Sequence, residues 1–207
     1  YFTLNLAHDG SGTAWMGGGT VMGTYGGFNG WAVRVEPDGK FELFSNGLRS
    51  PAGVGAGPDG RVWYADNQGD FVATSKLFEL GKDKFYGHPA GLVDLPGMTP
   101  DSPGIQYDQV ASRRERAIAL FPHNRVANSP GNPAWDTTKG RFGPFAGQML
   151  IGDQTQSNLL RVATQKVGDQ EQGSVMPFME GLESGVMRPL FLKDGSLLFG
   201  QTGPGWQ

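Results

Sequence analysis

Three Asp-Gly pairs set between short apolar runs, a recurrent oxygen-rich tail on the strands that follow, and 34 glycines and 14 prolines alongside 11% aromatics predict an all-β chain. Hairpins that repeat in this way build the blades of a β-propeller. High Gly and Pro with many aromatics means short strands and tight turns, whereas a disordered chain lacks the aromatics.

The hairpins come first. Pro37-Asp38-Gly39 leads into Lys40-Phe41-Glu42-Leu43-Phe44, Pro58-Asp59-Gly60 into Arg61-Val62-Trp63-Tyr64, and Lys193-Asp194-Gly195 into Ser196-Leu197-Leu198-Phe199. Asp9-Gly10 is a weaker fourth copy. The pair suits a turn because its glycine accepts a positive φ. Trp63, Val62, Leu150, Leu160, Leu197 and Phe199 fall in the apolar runs and are expected to be buried.

The strand ends come next. Tyr64-Ala65-Asp66-Asn67-Gln68 resembles Ile151-Gly152-Asp153-Gln154-Thr155 and Phe199-Gly200-Gln201-Thr202. The interval from Asp66 to Asp153 is near twice that from Asp153 to Gln201, so one unmarked unit lies between. A period of ~40–50 residues is that of propeller blades. About four blades fit residues 1–207, whereas a closed ring usually has more. The expectation is a partial propeller domain, truncated at both ends, from a six-bladed whole. Helical periodicity is scarce: residues 110–120 suit a short helix, and residues 91–103 and 123–133 read as loops.

Composition narrows the function classes. The net charge is -3 and no basic run exceeds Arg113-Arg114, so no nucleic-acid footprint exists. There are no cysteines, which excludes disulfides, thiolate metal sites and a cysteine nucleophile. No apolar stretch reaches the ~20 residues of a membrane span. Gly17-Gly18-Gly19 lacks a following Lys-Ser or Lys-Thr and is not a phosphate loop.

Candidate chemistry sits at the strand ends. Asp66-Asn67-Gln68-Gly69-Asp70 offers oxygen donors that suit calcium, or else a polar turn bonded to its own backbone. Arg49 and Arg188 each precede a strand mouth, where a guanidinium clamps a carboxylate or polarises a carbonyl, or else braces two blades. Asp66, Asp153, Arg49 and Arg188 are expected to converge near one end of the propeller axis. His8, His88 and His123 have no spacing that pairs them as ligands, and a structural role suits each.

The ordered series 47–54, Pro58-Asp59-Gly60, 66–70 and Phe85-Tyr86-Gly87-His88-Pro89 resembles the glucose/sorbosone dehydrogenase family, quinoprotein propellers of six blades. Trp135-Asp136-Thr137-Thr138, residues 142–148 and Gly152-Asp153-Gln154 resemble its membrane-bound dehydrogenase branch in planctomycete-type bacteria. The resemblance covers residues 31–206. It implies sugar or polyol oxidation with pyrroloquinoline quinone (PQQ) and calcium, a carbohydrate substrate, and a periplasmic or extracellular location. It assigns Arg49 and Arg188 to catalysis and the quinone, with Ser50, Ser129 and Thr155 beside the cofactor. Calcium falls to Asp66, Gln68, Gly69 and Asp153.

The pattern departs from the family in four places. Ser50 stands where the family has asparagine, Thr155 where it has lysine, Val186 where it has a second arginine, and the catalytic histidine belongs to an earlier blade. The quinone carries three carboxylates, so lost cations weaken its hold. A non-catalytic propeller that binds a glycan or protein is the alternative reading, and a calcium-dependent sugar lactonase using Asp66 and Asp153 is a third.

Overall fold

The computed structural model describes residues 1–6, 28–94 and 107–203. His8, Asp9-Gly10, Gly17-Gly18-Gly19 and the greater part of the 91–103 loop lie outside the described residues. Four antiparallel sheets carry nearly all regular structure. The chain divides into two compact units, one of Tyr1–Pro51, Gln68–Ala73 and Leu80–Arg116, the other of Ala52–Asn67, Thr74–Glu79 and Ala117–Gln207.

The first unit holds a sheet of β1 (Phe2–Thr3), β2 (Ala32–Val35) and β3 (Phe41–Ser45) in chain order. A 3-10 turn (Pro89–Asp94) and helix α1 (Tyr107–Ala111) follow. The second unit holds two four-stranded meanders. One runs β4 (Val54–Ala56), β5 (Val62–Asp66), β6 (Ser75–Glu79) and β7 (Ala119–Phe121). The other runs β8 (Pro130–Trp135), β9 (Met149–Asp153), β10 (Asn158–Val167) and β11 (Gln170–Met179). The hairpin β12 (Val186–Phe191) and β13 (Leu197–Gln201) completes it. Antiparallel strands paired strictly in chain order are the topology of propeller blades.

The three Asp-Gly turns share one construction. Gly39, Gly60 and Gly195 have φ of 84, 82 and 98°. In each, the aspartate Oδ1 accepts the N–H two residues on, at 2.9 Å from Lys40, 3.1 Å from Arg61 and 2.8 Å from Ser196. The side chain thus closes the turn while glycine supplies the backbone angle.

The core of the second unit gathers around Trp63 and Trp135, whose rings meet edge to face at 5.3 Å, with Leu77, Phe121, Ile151 and Leu160 buried beside them. Trp63, Leu150 and Leu160 are buried as expected. Val62, Leu197 and Phe199 are only half-buried; among the described residues β13 pairs with β12 alone, which leaves it less covered than the strands of the four-stranded sheets.

Two expected elements change. Residues 110–120 do not form one helix: α1 ends at Ala111, and Ala119–Phe121 becomes β7, paired with β6. Strand pairing that buries Ala119 and Phe121 overrides a weak local helical tendency. The 123–133 loop yields β8, despite Pro130 and Pro133. Those prolines flank an irregularity in the β8–β9 register, and β8 is an edge strand, so their missing N–H groups cost little.

Candidate functional site

In the first unit the Arg49 loop is tied down by its neighbours. Gly47 turns the chain after β3 with φ 78°, and a Cβ there would lie 2.5 Å from the Phe85 ring. Residues 84–88 run beside it: Asn46 N–H donates to Lys84 O at 3.0 Å, Tyr86 N–H to Asn46 O at 2.9 Å, and His88 N–H to Gly47 O at 2.9 Å. The aromatic turn 85–89 therefore fixes the backbone just before Arg49. Arg49 and Ser50 are half-buried, and Arg49 O accepts Leu6 N–H at 3.0 Å.

Gln68 and Gly69 belong to the same unit. Gly69 N–H donates to Val72 O at 2.8 Å, which closes the loop on itself. Gln68 Oε1 is buried without a hydrogen-bond partner. His88 is buried, with Nε2 3.9 Å from Asp70 Oδ2. Its Nδ1 accepts Ala90 N–H at 3.3 Å, so a neutral ring carries its proton on Nε2, toward Asp70.

In the second unit Asp66 and Asp153 close β5 and β9, at equivalent positions of two blades, and both are buried. Their surroundings differ. Asp66 Oδ1 accepts Asn67 N–H at 2.9 Å. Asp153 gathers a whole loop: Oδ1 accepts Ser129 N–H at 2.7 Å, and Oδ2 accepts Asn128 N–H at 3.1 Å and Gln156 N–H at 3.2 Å. Ser129 therefore meets Asp153 through its backbone. Thr155 Oγ1 is buried without a hydrogen-bond partner. Among the described residues no group of three or more His, Asp or Glu side chains is close enough to hold a metal ion.

Arg188 sits in a bulge of β12, with φ 56°. Its exposed side chain lies across Gly53, where a Cβ would come within 2.2 Å of Nη1. Only glycine lets the guanidinium settle there, and the φ of 109° at Gly53 again favours it. Asn132, in the β8 irregularity, flanks the same spot: its Cβ is 3.6 Å from that position, and its Oδ1 is buried without a hydrogen-bond partner. Gly53 thus gathers the Arg188 guanidinium and the Asn132 side chain into one cradle, where a polar ligand would find a cationic donor. Val186, two residues earlier, is fully buried.

Sequence reasoning missed Lys76 and Asn132. Lys76 is opposite Asp66 across β5 and β6, only 4% exposed, with Nζ donating to Asn67 O at 2.7 Å. The signal available was a lysine next to Leu77-Phe78 inside a short strand, since lysine is almost never buried without a partner. Nothing local marks Asn132.

No family model matches the sequence, and no curated protein matches it. Solved structures do share its fold. The PQQ-bound aldose sugar dehydrogenase of Streptomyces coelicolor aligns with a TM-score of 0.55 at 16% identity, over 80% of this chain and 44% of that one. A glucose dehydrogenase aligns with a TM-score of 0.55 at 22% identity, over 83% of this chain and 50% of that one. The PQQ domain of pyranose dehydrogenase from Coprinopsis cinerea, in its holo form, aligns with a TM-score of 0.50 at 13% identity, over 80% and 54%. The chain spans about half the length of these structures, and the fold it shares with them is that of the sugar dehydrogenase propellers.

Proposed function

We propose that this chain is part of a quinoprotein-type dehydrogenase that oxidises a sugar or polyol, in the periplasm or outside the cell, and that it belongs to the planctomycete-type branch of that family. The observation that carries the reading is the cradle of Arg188, Gly53 and Asn132, built at strand irregularities of a fold whose solved relatives include PQQ-bound enzymes.

Arg188 suits an anionic oxygen, and the oxygens left over suit hydroxyl donors such as those of a sugar. Asn132 Oδ1, Thr155 Oγ1 and Gln68 Oε1 are buried and lack partners, so each gains from a ligand that supplies a donor or a cation. When bound, PQQ supplies an electron-accepting quinone. Arg188 would pair with an anionic oxygen, and Arg49 would orient the reacting carbonyl or its precursor hydroxyl. The oxygen donors that the resemblance offers to calcium are Gln68 and the Gly69 carbonyl in the first unit and, separately, Asp66 and Asp153 in the second, with Asp153 already engaged by three N–H groups. Ser129 would stand near the cofactor through its loop.

Buried Val186 favours a second reading. An apolar side chain stands where the family has an arginine, which suits a propeller that binds a glycan or protein without catalysis. Reconstitution of the full-length protein with PQQ and calcium separates the two. A shifted quinone absorbance and dye reduction by aldoses are expected, with Arg49→Ala abolishing binding and scarcely moving the melting temperature. An unchanged spectrum, with glycan binding retained, would replace the enzyme with the binding module.

A further inference from the structure

A cavity of about 130 Å³ opens between the turn after β8 and the β12–β13 turn, lined by Thr137, Thr138, Lys139, Arg141, Phe191 and Lys193, with Leu192. It is small beside the ~300–1,000 Å³ clefts that take drug-sized ligands. Its lining includes three cations and no acid. None of the three forms an ion pair among the described residues.

The neighbouring carboxylates face other tasks. Asp136 is buried and its Oδ1 accepts both the N–H and the hydroxyl of Thr138, at 2.8 and 2.6 Å. Asp194 is exposed and accepts Ser196 N–H at 2.8 Å, closing its own turn. Neither lines the cavity.

All three cationic residues are exposed, and the backbone sets where each leaves the chain. Lys139 has φ 58° and Gly140 φ 87°, which curls the first turn and sets Lys139 at its tip. Gly195 presses on the Arg141 backbone, where a Cβ would come within 2.8 Å. Arg141 Nη1 donates to Lys193 O and so joins the two turns. A guanidinium has five N–H donors, so most of its fork remains for a ligand. Phe191 lines the same space half-buried, its ring 5.0 Å from Phe142 and edge to face. An apolar wall on one side strengthens charge–charge attraction on the other.

Three like charges lining one small space favour a compact anion there. We propose that this cavity binds a tetrahedral oxyanion, phosphate or sulfate, free or as an ester group on a sugar. Arg141 would take two oxygens in parallel, as guanidinium does with phosphate, and Lys139 and Lys193 would close from either side as point charges.

Calorimetric titration of the full-length protein at low ionic strength tests this, with inorganic phosphate, inorganic sulfate and glucose 6-phosphate as ligands and chloride as the ionic control. Saturable one-to-one binding of phosphate or sulfate is expected, and none of chloride. The double variant Lys139→Asn with Lys193→Gln removes two charges; asparagine tolerates the positive φ at 139. It should bind at least tenfold more weakly at an unchanged melting temperature. Lys193→Gln alone, which makes no demand on a special backbone angle, should weaken binding severalfold. Glucose 6-phosphate binding as tightly as phosphate or tighter assigns the ester; weaker binding assigns the free ion. Absence of saturable binding, equal binding by the variants, or equal heats from chloride would overturn the proposal. None of these readouts depends on quinone or sugar oxidation.

Discussion

Gly55→Ala tests how closely neighbouring strands of the second unit approach. A Cβ on Gly55 of β4 would lie 1.9 Å from Pro133 O of β8 and 2.9 Å from its carbonyl carbon. Carbon and oxygen sit comfortably at ~3.3 Å or beyond, so the strands must separate by more than an ångström. Overpacking costs ~1–3 kcal/mol, and the obstacle here is backbone that cannot rotate aside, which sets the expected loss near ~3 kcal/mol. For a chain of this size each kcal/mol lowers the melting temperature by ~2–4 °C, so a fall of roughly 6–12 °C is expected. Two glycines with open surroundings calibrate the assay. Gly203 has nothing within 4 Å and no positive φ, so Gly203→Ala should leave the melting temperature unchanged to within about 1–2 °C. Gly60 is equally open but has φ 82°, so Gly60→Ala should cost only ~1–2 kcal/mol of backbone strain. Thermal unfolding followed by circular dichroism measures all three. If Gly55→Ala melts with Gly203→Ala, the close approach is not part of the folded protein.

Two further outcomes follow from the polar contacts. Asp153→Ala leaves the N–H groups of Asn128, Ser129 and Gln156 without their acceptor and should cost ~2–4 kcal/mol, whereas Asp153→Asn keeps one oxygen and should cost ~1–2 kcal/mol; chemical denaturation with calcium absent distinguishes this brace from a metal ligand. Hydrogen bonds from Arg61, Lys82 and Ser196 hold Asp59, Glu42 and Asp194 below their ordinary values of 3.8, 4.5 and 3.8. A depressed carboxylate stabilises the fold fully above its ordinary value, and that contribution is lost as pH falls through the lower folded value. The melting temperature should therefore hold from pH 7 to about 5 and decline below about 4. Arg61→Gln should remove the Asp59 share of that decline, and an unaltered acid limb would refute the assignment.

The local chemistry of this chain is open to reading from its sequence. Asp38, Asp59 and Asp194 announce three turns because each aspartate bonds a backbone N–H two residues away, and the glycine beside it supplies a positive φ. The matching ends of β5 and β9 are legible for the same reason: an acid after a short apolar strand needs only its own segment to be recognised. What depends on distant residues was not legible. Ala119–Phe121 is a strand only because β6 lies beside it, and β8 tolerates its prolines only because it is an edge. Lys76 is buried by strands that its own sequence neighbours do not specify. Gly53, Gly55 and Gly152 look like any of the 34 glycines in the chain. Tertiary structure alone sets them against the Arg188 guanidinium, the Pro133 carbonyl and the Val186 carbonyl. A turn is decided by φ, ψ and one nearby side chain, whereas a close approach is decided by the partner's backbone, and that partner lies dozens of residues away.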